Sequence, residues 1–241
     1  MALIEVKNAV VNYEGDTAVS GASFSVEKAD YLVVLGENGS GKSSVMKAML
    51  GLVRPDAGDI TCFGKPFAGN EKELKQRLGY STGTLAWYPG RKIREIAQVV
   101  RRFYGAWDEN AYEQYLRLFA LDPDKRASEL SEGMKVKCNL LFALSHHAEV
   151  LILDEPTSAL DPFSRDELTE VFRELKARGT AVFFSTHIVS DLEKCADRIL
   201  YISSGEIRVN LSMKDFAEQL SLPGETLEET VLRLERSAKN A

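Results

Sequence analysis

The octapeptide Gly36-Glu37-Asn38-Gly39-Ser40-Gly41-Lys42-Ser43 restricts the fold of this chain more than any other feature. It satisfies the pattern G-x-x-x-x-G-K-[S/T] at every fixed position. It also follows the apolar run YLVVL and opens the helical stretch SSVMKAMLGLV, the strand–loop–helix setting that the pattern requires. Glycines let the backbone curl so that several N–H groups point at one anion, and the helix N-terminus adds its dipole. A loop of this kind, continuing through Ser44, cradles a chain of phosphates. Lys42 can reach the β- and γ-phosphates, and the Ser43 hydroxyl is a Mg²⁺ ligand. A chance match in a chain of this length has a probability of about 1% from average residue frequencies. A glycine-rich turn without a ligand is therefore the weaker reading, and a nucleoside triphosphate is the expected one.

The rest of the chain reads as an α/β core around that loop. Tyr31–Leu35, Val150–Leu153, Ala181–Phe184 and Arg198–Ile202 are short, nearly continuous apolar runs, as strands buried on both faces of a parallel sheet should be. Leu168, Val171, Phe172 and Leu175 recur at helical spacing between Asp161-Pro162, an N-cap with proline at N1, and Gly179, a stop. That segment predicts a crossover helix. IEVKN, ASFSVEK and DITCFG alternate or carry turn residues, which predicts a small antiparallel sheet on one flank. From about Glu71 to Ser145 the pattern is helical, with no buried strand after about Ser81. Ile93–Tyr104 and Asn110–Leu118 are its best helices, with Asp108 as a cap for the second. A final amphipathic helix is expected over Thr226–Ala238.

Composition limits the function classes. Thirty basic against 36 acidic residues give a net charge of −6, which argues against a general nucleic-acid-wrapping surface. Cys62, Cys138 and Cys195 show neither metal spacing nor a disulfide framework, and they predict a reducing compartment. The N-terminal stretch lacks the parts of a signal peptide, and apolar runs such as VLIL and AVFF are too short to span a bilayer. The expectation is a soluble, intracellular protein, with any membrane role exerted through a partner.

A second chemical feature lies where Val150–Leu153 runs into Asp154-Glu155. A strand ending in two acids delivers them to the C-terminal edge of the sheet, where ligands bind in open α/β folds. Asp154 can hold Mg²⁺, directly or through water. Glu155 can accept a proton from an attacking water or orient it. A DE pair alone reads as a solvated turn; the phosphate loop upstream in the same chain reverses that preference.

Leu130-Ser131-Glu132-Gly133-Met134 stands between these two motifs, and Pro156–Asp161 and Ser185-Thr186-His187 follow the second. The ordered set resembles the ATP-binding-cassette (ABC) ATPase family over nearly the whole chain. The resemblance implies one α/β domain over residues 1–241. It would have a P-loop nucleotide-binding core with a mainly parallel sheet, an N-terminal antiparallel β subdomain and an α-helical subdomain inserted at about 84–145. It implies two such domains paired head to tail, as homodimer or heterodimer. In that pair Ser131 and the Gly133 N–H would meet the γ-phosphate held by the opposite subunit. It further implies that His187 contacts the γ-phosphate and holds the attacking water, and that Tyr13 stacks on adenine. ATP and Mg²⁺ are the implied cofactors and a transmembrane permease the implied partner. The implied location is cytoplasmic, at the inner face of the cell membrane. FYGAWDENAYEQYLRLFAL and LSEGMK look like the ATPase subunits of bacterial antibiotic- and lantibiotic-type exporters. The tail is too short for the regulatory domain of some sugar importers.

Two positions depart from the family's pattern. Where it places a glutamine that touches Mg²⁺ and the membrane partner, this chain has Gly83; Gln76 lies upstream and Gln98 too far down. In the signature, Glu132 and Met134 replace the glycine and glutamine of LSGGQ. Glu132 is unfavourable if aimed at phosphate and harmless or helpful at a helix start facing solvent. The basic stretch Arg91, Lys92, Arg94, Arg101 and Arg102 reads first as a solvated helix face, and second as a contact for a permease's coupling helix. His146 and His147 match no motif and are expected at a helix end. Two further readings stay open: a soluble ABC module outside transport, such as iron–sulfur cluster assembly, and a degenerate subunit that binds ATP and barely turns it over.

Overall fold

In the computed structural model, which describes residues 2–82, 88–189 and 195–239, the apolar runs form the middle layer of the molecule. Strands β3 (Tyr31–Leu35), β6 (Leu78–Ser81), β7 (Val150–Asp154), β8 (Ala181–Ser185), β9 (Arg198–Ser203) and β10 (Glu206–Ser212) make a six-stranded sheet in the order β10-β9-β3-β8-β7-β6. Neighbours in it are parallel except β10, which returns antiparallel on β9. All five residues of β3 and of β8 are buried, so their lack of alternation follows from having both faces covered. Strands β1 (Ile4–Tyr13), β2 (Asp16–Val26), β4 (Ala57–Cys62) and β5 (Lys65–Pro66) form the antiparallel sheet, in the order β2-β1-β4-β5.

Successive side chains of a strand point to opposite faces, and β3 shows the consequence. Leu32 and Val34 join a core with β1, β2 and helix α1 (Lys42–Met49), while Tyr31, Val33 and Leu35 join a second core on the other face. Helices α3 (Ile93–Val100), α4 (Glu109–Leu118), α5 (Glu132–Leu144) and α6 (Pro162–Ala177) contribute to that second core, as do α7 (Met213–Leu220) and α8 (Leu227–Lys239). The short α2 (Glu71–Gln76) leads into β6. Each fully buried aliphatic side chain contributes about 1.5–3 kcal/mol, so both faces anchor the middle sheet.

The caps follow the sequence. Asp161 accepts from the Phe163 and Ser164 amides, both at 3.1 Å, Pro162 takes the first position of α6, and Gly179 follows its end. Asp108 accepts from Asn110 N at 2.8 Å and Ala111 N at 3.3 Å. The helix expected over Ile93–Tyr104 is shorter: α3 stops at Val100 and a 3₁₀ turn, Arg101–Phe103, completes it. The Gln76 amide takes over there, donating to Phe103 O at 2.5 Å and accepting from Gly105 N at 2.7 Å. The hairpin β9–β10 was not anticipated, because β10 is half exposed throughout and lacks a clean alternation. Its turn, Ser204-Gly205, carried the available signal.

Gly79 sets how closely β6 lies on α5. A Cβ there would stand 2.5 Å from Leu151 Cδ2, 2.9 Å from Ala143 O and 3.1 Å from Ala148 Cβ. Gly79→Ala is expected to lower stability by about 1–3 kcal/mol through overpacking, read as a shift of the urea midpoint at unchanged slope. An unmoved midpoint would show that β6 and α5 can separate without loss.

Candidate functional site

The C-terminal ends of β3, β7 and β8 lie on one edge, and the loop after β3 curls over it. Two glycines permit the curl. Gly36, at φ 152°, would place a Cβ 2.2 Å from Ile202 O, and Gly41, at φ 110°, would place one 2.4 Å from Ala18 O. Any side chain would push the loop off the sheet. Gly41 is the N-cap of α1 and has no side chain to bond the first-turn amides, which leaves them for an anion.

Lys42 is folded beneath the loop. Its Nζ donates to Gly36 O at 2.6 Å and Glu37 O at 2.8 Å, and the residue is buried. Burial pulls the ammonium below the ordinary lysine value of 10.5, while the charges of Glu155 and Asp154 act in the opposite direction. Ser40 Oγ is buried behind the loop with no hydrogen-bond partner, against Gly36.

The two acids arrive as β7 ends. Asp154 pairs in register with Ser185 of β8. Ser185 Oγ donates to Asp154 Oδ1 at 2.7 Å and accepts from Glu155 N at 3.0 Å. Glu155 has a left-handed φ of 51°, costly for a residue with a long side chain. The Ser185 bond holds it from one side, and Ser158 Oγ, donating to Glu155 O at 3.1 Å, from the other. His187 Nδ1 lies 2.7 Å from Glu155 Oε2. In the sequence Ser185 is visible only as part of a motif; its place opposite Asp154 comes from strand register.

A cavity of 380 Å³ joins loop and acids, with Asn38, Lys42, Ser43, Thr82, Asp154 and Glu155 among its walls. Gly39, Gly41 and Ser44 line it too. Among the described residues no group of three or more His, Cys, Asp or Glu could hold a metal ion by itself. The Ser43 hydroxyl and Asp154 carboxylate are hard oxygen donors on one cavity. That donor set suits Mg²⁺, which binds through few protein ligands together with phosphate oxygens. The cavity can therefore take a polyphosphate on backbone amides and Lys42, a cation between Ser43 and Asp154, and a water beside Glu155.

Other predicted residues lie elsewhere. Tyr13 ends β1, 40% exposed, and does not line the cavity. Ser131 is the N-cap of α5, its Oγ accepting from Met134 N at 3.3 Å, and Gly133 packs against Ala159 O and Leu160. Neither borders the cavity of its own chain. Glu132 is exposed in the first turn of α5 and pairs with Lys135 at 2.6 Å, the solvent-facing alternative for that residue. Gly83 lies outside the described residues. In the basic stretch, Lys92 and Arg94 both pair with Asp124 and Arg101 with Glu109. His146 and His147 do follow the end of α5. His146 is buried between Leu78 O and Phe142 O with Tyr104 stacked on its ring, and His147 bonds Asp108.

A family model described as ABC transporter matches residues 19–158. The chain is 36% identical over 210 residues to a Nod factor export ATP-binding protein I of Burkholderia orbicola, covering 85% of this chain and 69% of that protein. It is 31% identical over 208 residues to the bacitracin transport ATP-binding protein BcrA of Bacillus licheniformis, covering 85% and 68%. Its fold is similar to that of a solved ATP-binding subunit of an ABC transporter, with a TM-score of 0.88, 28% identity and coverage of 96% and 99%.

The buried Lys42 makes a pH prediction. The ammonium is the form that attracts phosphate, and burial holds its pKa below the ordinary 10.5. As pH rises through that lowered value the charge is lost, so nucleotide affinity is expected to fall at a pH below 10.5. Equilibrium titrations between pH 7 and 10.5 check this; a downturn only above that range contradicts it.

Proposed function

From the premise that this chain belongs to the ABC transporter family, we propose that it is the ATP-hydrolysing subunit of an exporter, driving a separate transmembrane partner. The observation that carries this reading is Glu155 beside the phosphate loop, held in a strained backbone conformation by Ser185 and bonded to His187. Strain kept by specific hydrogen bonds at a cavity wall is what a positioned reacting group needs.

In this reading Lys42, the loop glycines, Ser40 and the amides through Ser44 bind the phosphates of ATP. Ser43 and Asp154 hold Mg²⁺, which when bound neutralises phosphate charge and fixes the orientation of the oxygens. Glu155 accepts a proton from the attacking water or orients it. His187, anchored on Glu155 through Nδ1, keeps Nε2 for the γ-phosphate and that water. Tyr13 stacks on adenine.

Ser131 and Gly133 border no part of their own chain's cavity, which supports a role toward a second subunit's ATP. Ser131 Oγ accepts from Met134 N and keeps its own O–H to donate. The Gly133 N–H and the dipole of α5 face the same way. Two subunits, identical or paralogous, close head to tail on ATP because ATP binds the closed pair better than the open one. Hydrolysis removes that preference and the pair reopens.

The membrane partner is assigned to a groove of 310 Å³ lined by Tyr80, Tyr88, Val99, Phe103, Tyr104 and Phe142. Phe103 is 68% and Tyr88 50% exposed, and the exposed Arg101 and Arg102 directly precede Phe103 in the chain. An amphipathic helix of a permease suits such an apolar surface with a basic rim. No described helix is long and apolar enough to cross a membrane, and the crossing is assigned to the partner. In this reading the subunit works peripherally, at the cytoplasmic face of the cell membrane. The export and bacitracin-transport relatives support the outward direction.

Glu155→Gln is expected to bind ATP, lose turnover by at least about 10²-fold and accumulate a closed dimer in ATP, seen by size exclusion with light scattering. Turnover at the parent's rate would remove Glu155 from the role of base. Phe103→Asp is expected to leave ATP binding by the isolated chain unchanged and to abolish co-purification of an integral membrane protein from detergent-solubilised cells. Undiminished co-purification would move the docking site away from the groove.

A further inference from the structure

Among the described residues, Thr82 is the one polar side chain on the wall of the phosphate cavity that neither the loop nor the acid pair accounts for. Its place follows from strand register. The parallel pairing of β6 with β7 runs Leu78↔Val150, Gly79↔Leu151, Tyr80↔Ile152, Ser81↔Leu153. Thr82 is the residue after the last pair of β6, as Asp154 is the residue after Leu153 on β7, and both line the phosphate cavity. Side chains alternate along a strand, so Asp154 shares a face with Ile152, and the alternation of β6 carried one residue further assigns Thr82 to the face of Tyr80. Ile152 is buried in the core that contains α1, and Tyr80 packs against that core. It is also the face on which the first turn of α1 presents Ser43.

Ser81, one residue before Thr82 on the opposite face, has its hydroxyl buried without a hydrogen-bond partner and does not reach the cavity. Of the two successive hydroxyls, Thr82 alone borders the same space as Ser43 and Asp154.

We propose that the Thr82 hydroxyl joins the oxygen shell of the nucleotide's divalent cation, directly or through one of its waters, from the β6 side of the cavity. This rests on the ATP reading of the site given above. A neutral oxygen donor suits Mg²⁺, which keeps several waters and few protein ligands. Its place on the cavity wall, one residue beyond the last β6–β7 pair, offers the hydroxyl on a short side chain, with no long side chain to be ordered on binding. Thr82 also connects the site to the groove, because Tyr80 of β6 stands on the groove wall and Thr82, the residue after β6 ends, on the cavity wall.

The test is equilibrium binding of ATP to the whole chain, measured with Mg²⁺ and again with EDTA. The ratio of the two affinities isolates the cation's contribution. Thr82→Val keeps the branched shape and removes the hydroxyl, and it is expected to lower the ratio about tenfold, as loss of an outer-shell partner does. Thr82→Ser restores the hydroxyl and is expected to keep the parent ratio. A parent-like ratio in Thr82→Val overturns the assignment, as does an equal loss with and without Mg²⁺, which is the mark of a packing role. If Thr82→Val fails to fold by circular dichroism, Thr82→Ala is read the same way. No ATP binding by the unaltered chain in either condition overturns the nucleotide reading itself, and this assignment with it.

Discussion

Parallel pairing of β6, β7, β8 and β3 brings four chain segments to one edge of the sheet, and the site hangs from that edge. Parallel strands share a direction, so the residues that follow their last pairs emerge side by side. The phosphate loop leaves β3, Asp154 closes β7 beside Ser185, and His187 comes two residues after β8 ends. Residues far apart in sequence thus meet without any long loop having to be ordered. Burial of β3, β7 and β8 makes the arrangement stable enough to carry the strain placed on it.

That strain is concentrated in two places. Glu155 takes a left-handed backbone conformation in order to turn its carboxylate toward the cavity and His187. Lys42 is desolvated beneath the loop, where the carbonyls of Gly36 and Glu37 replace water as its partners. Both are unfavourable in isolation. Both are held by hydrogen bonds to groups that the sheet already fixes, so the cost is carried by the fold rather than by the ligand at the moment of binding.

β6 occupies a position that its short length disguises. As an edge strand it borders the apolar groove through Tyr80, leads into Thr82 on the wall of the phosphate cavity, and through Gly79 lies tightly on the C-terminal part of α5, whose N-terminus carries Ser131 and Gly133. In the proposed transporter subunit the surfaces that must respond to one another are those for partner, nucleotide and opposing subunit. β6 joins the first two directly and reaches the third through the length of α5, and its tight fit on that helix leaves little room for one to move alone.

Much of this was legible in the residues because it is local. The loop signature, the apolar runs, the caps at Asp108 and Asp161, and the acid pair at a strand end are each set by a few consecutive side chains and their backbone preferences. The sequence determined by itself the nucleotide loop, the α/β layering and the family. It underdetermined elements whose stability comes from distant partners: the Gln76 side chain bonds the chain at Phe103 and Gly105, just past the 3₁₀ turn that follows α3, and β10 exists because β9 offers it an edge. Only the tertiary structure decided that Ser185 ties Asp154 to Glu155, that Thr82 lines one cavity with Ser43, that Glu132 turns to Lys135, and that Ser131 and Gly133 stand apart from their own chain's cavity. These follow from strand register and from which helix lies on which face, quantities set by packing between residues far apart in the chain.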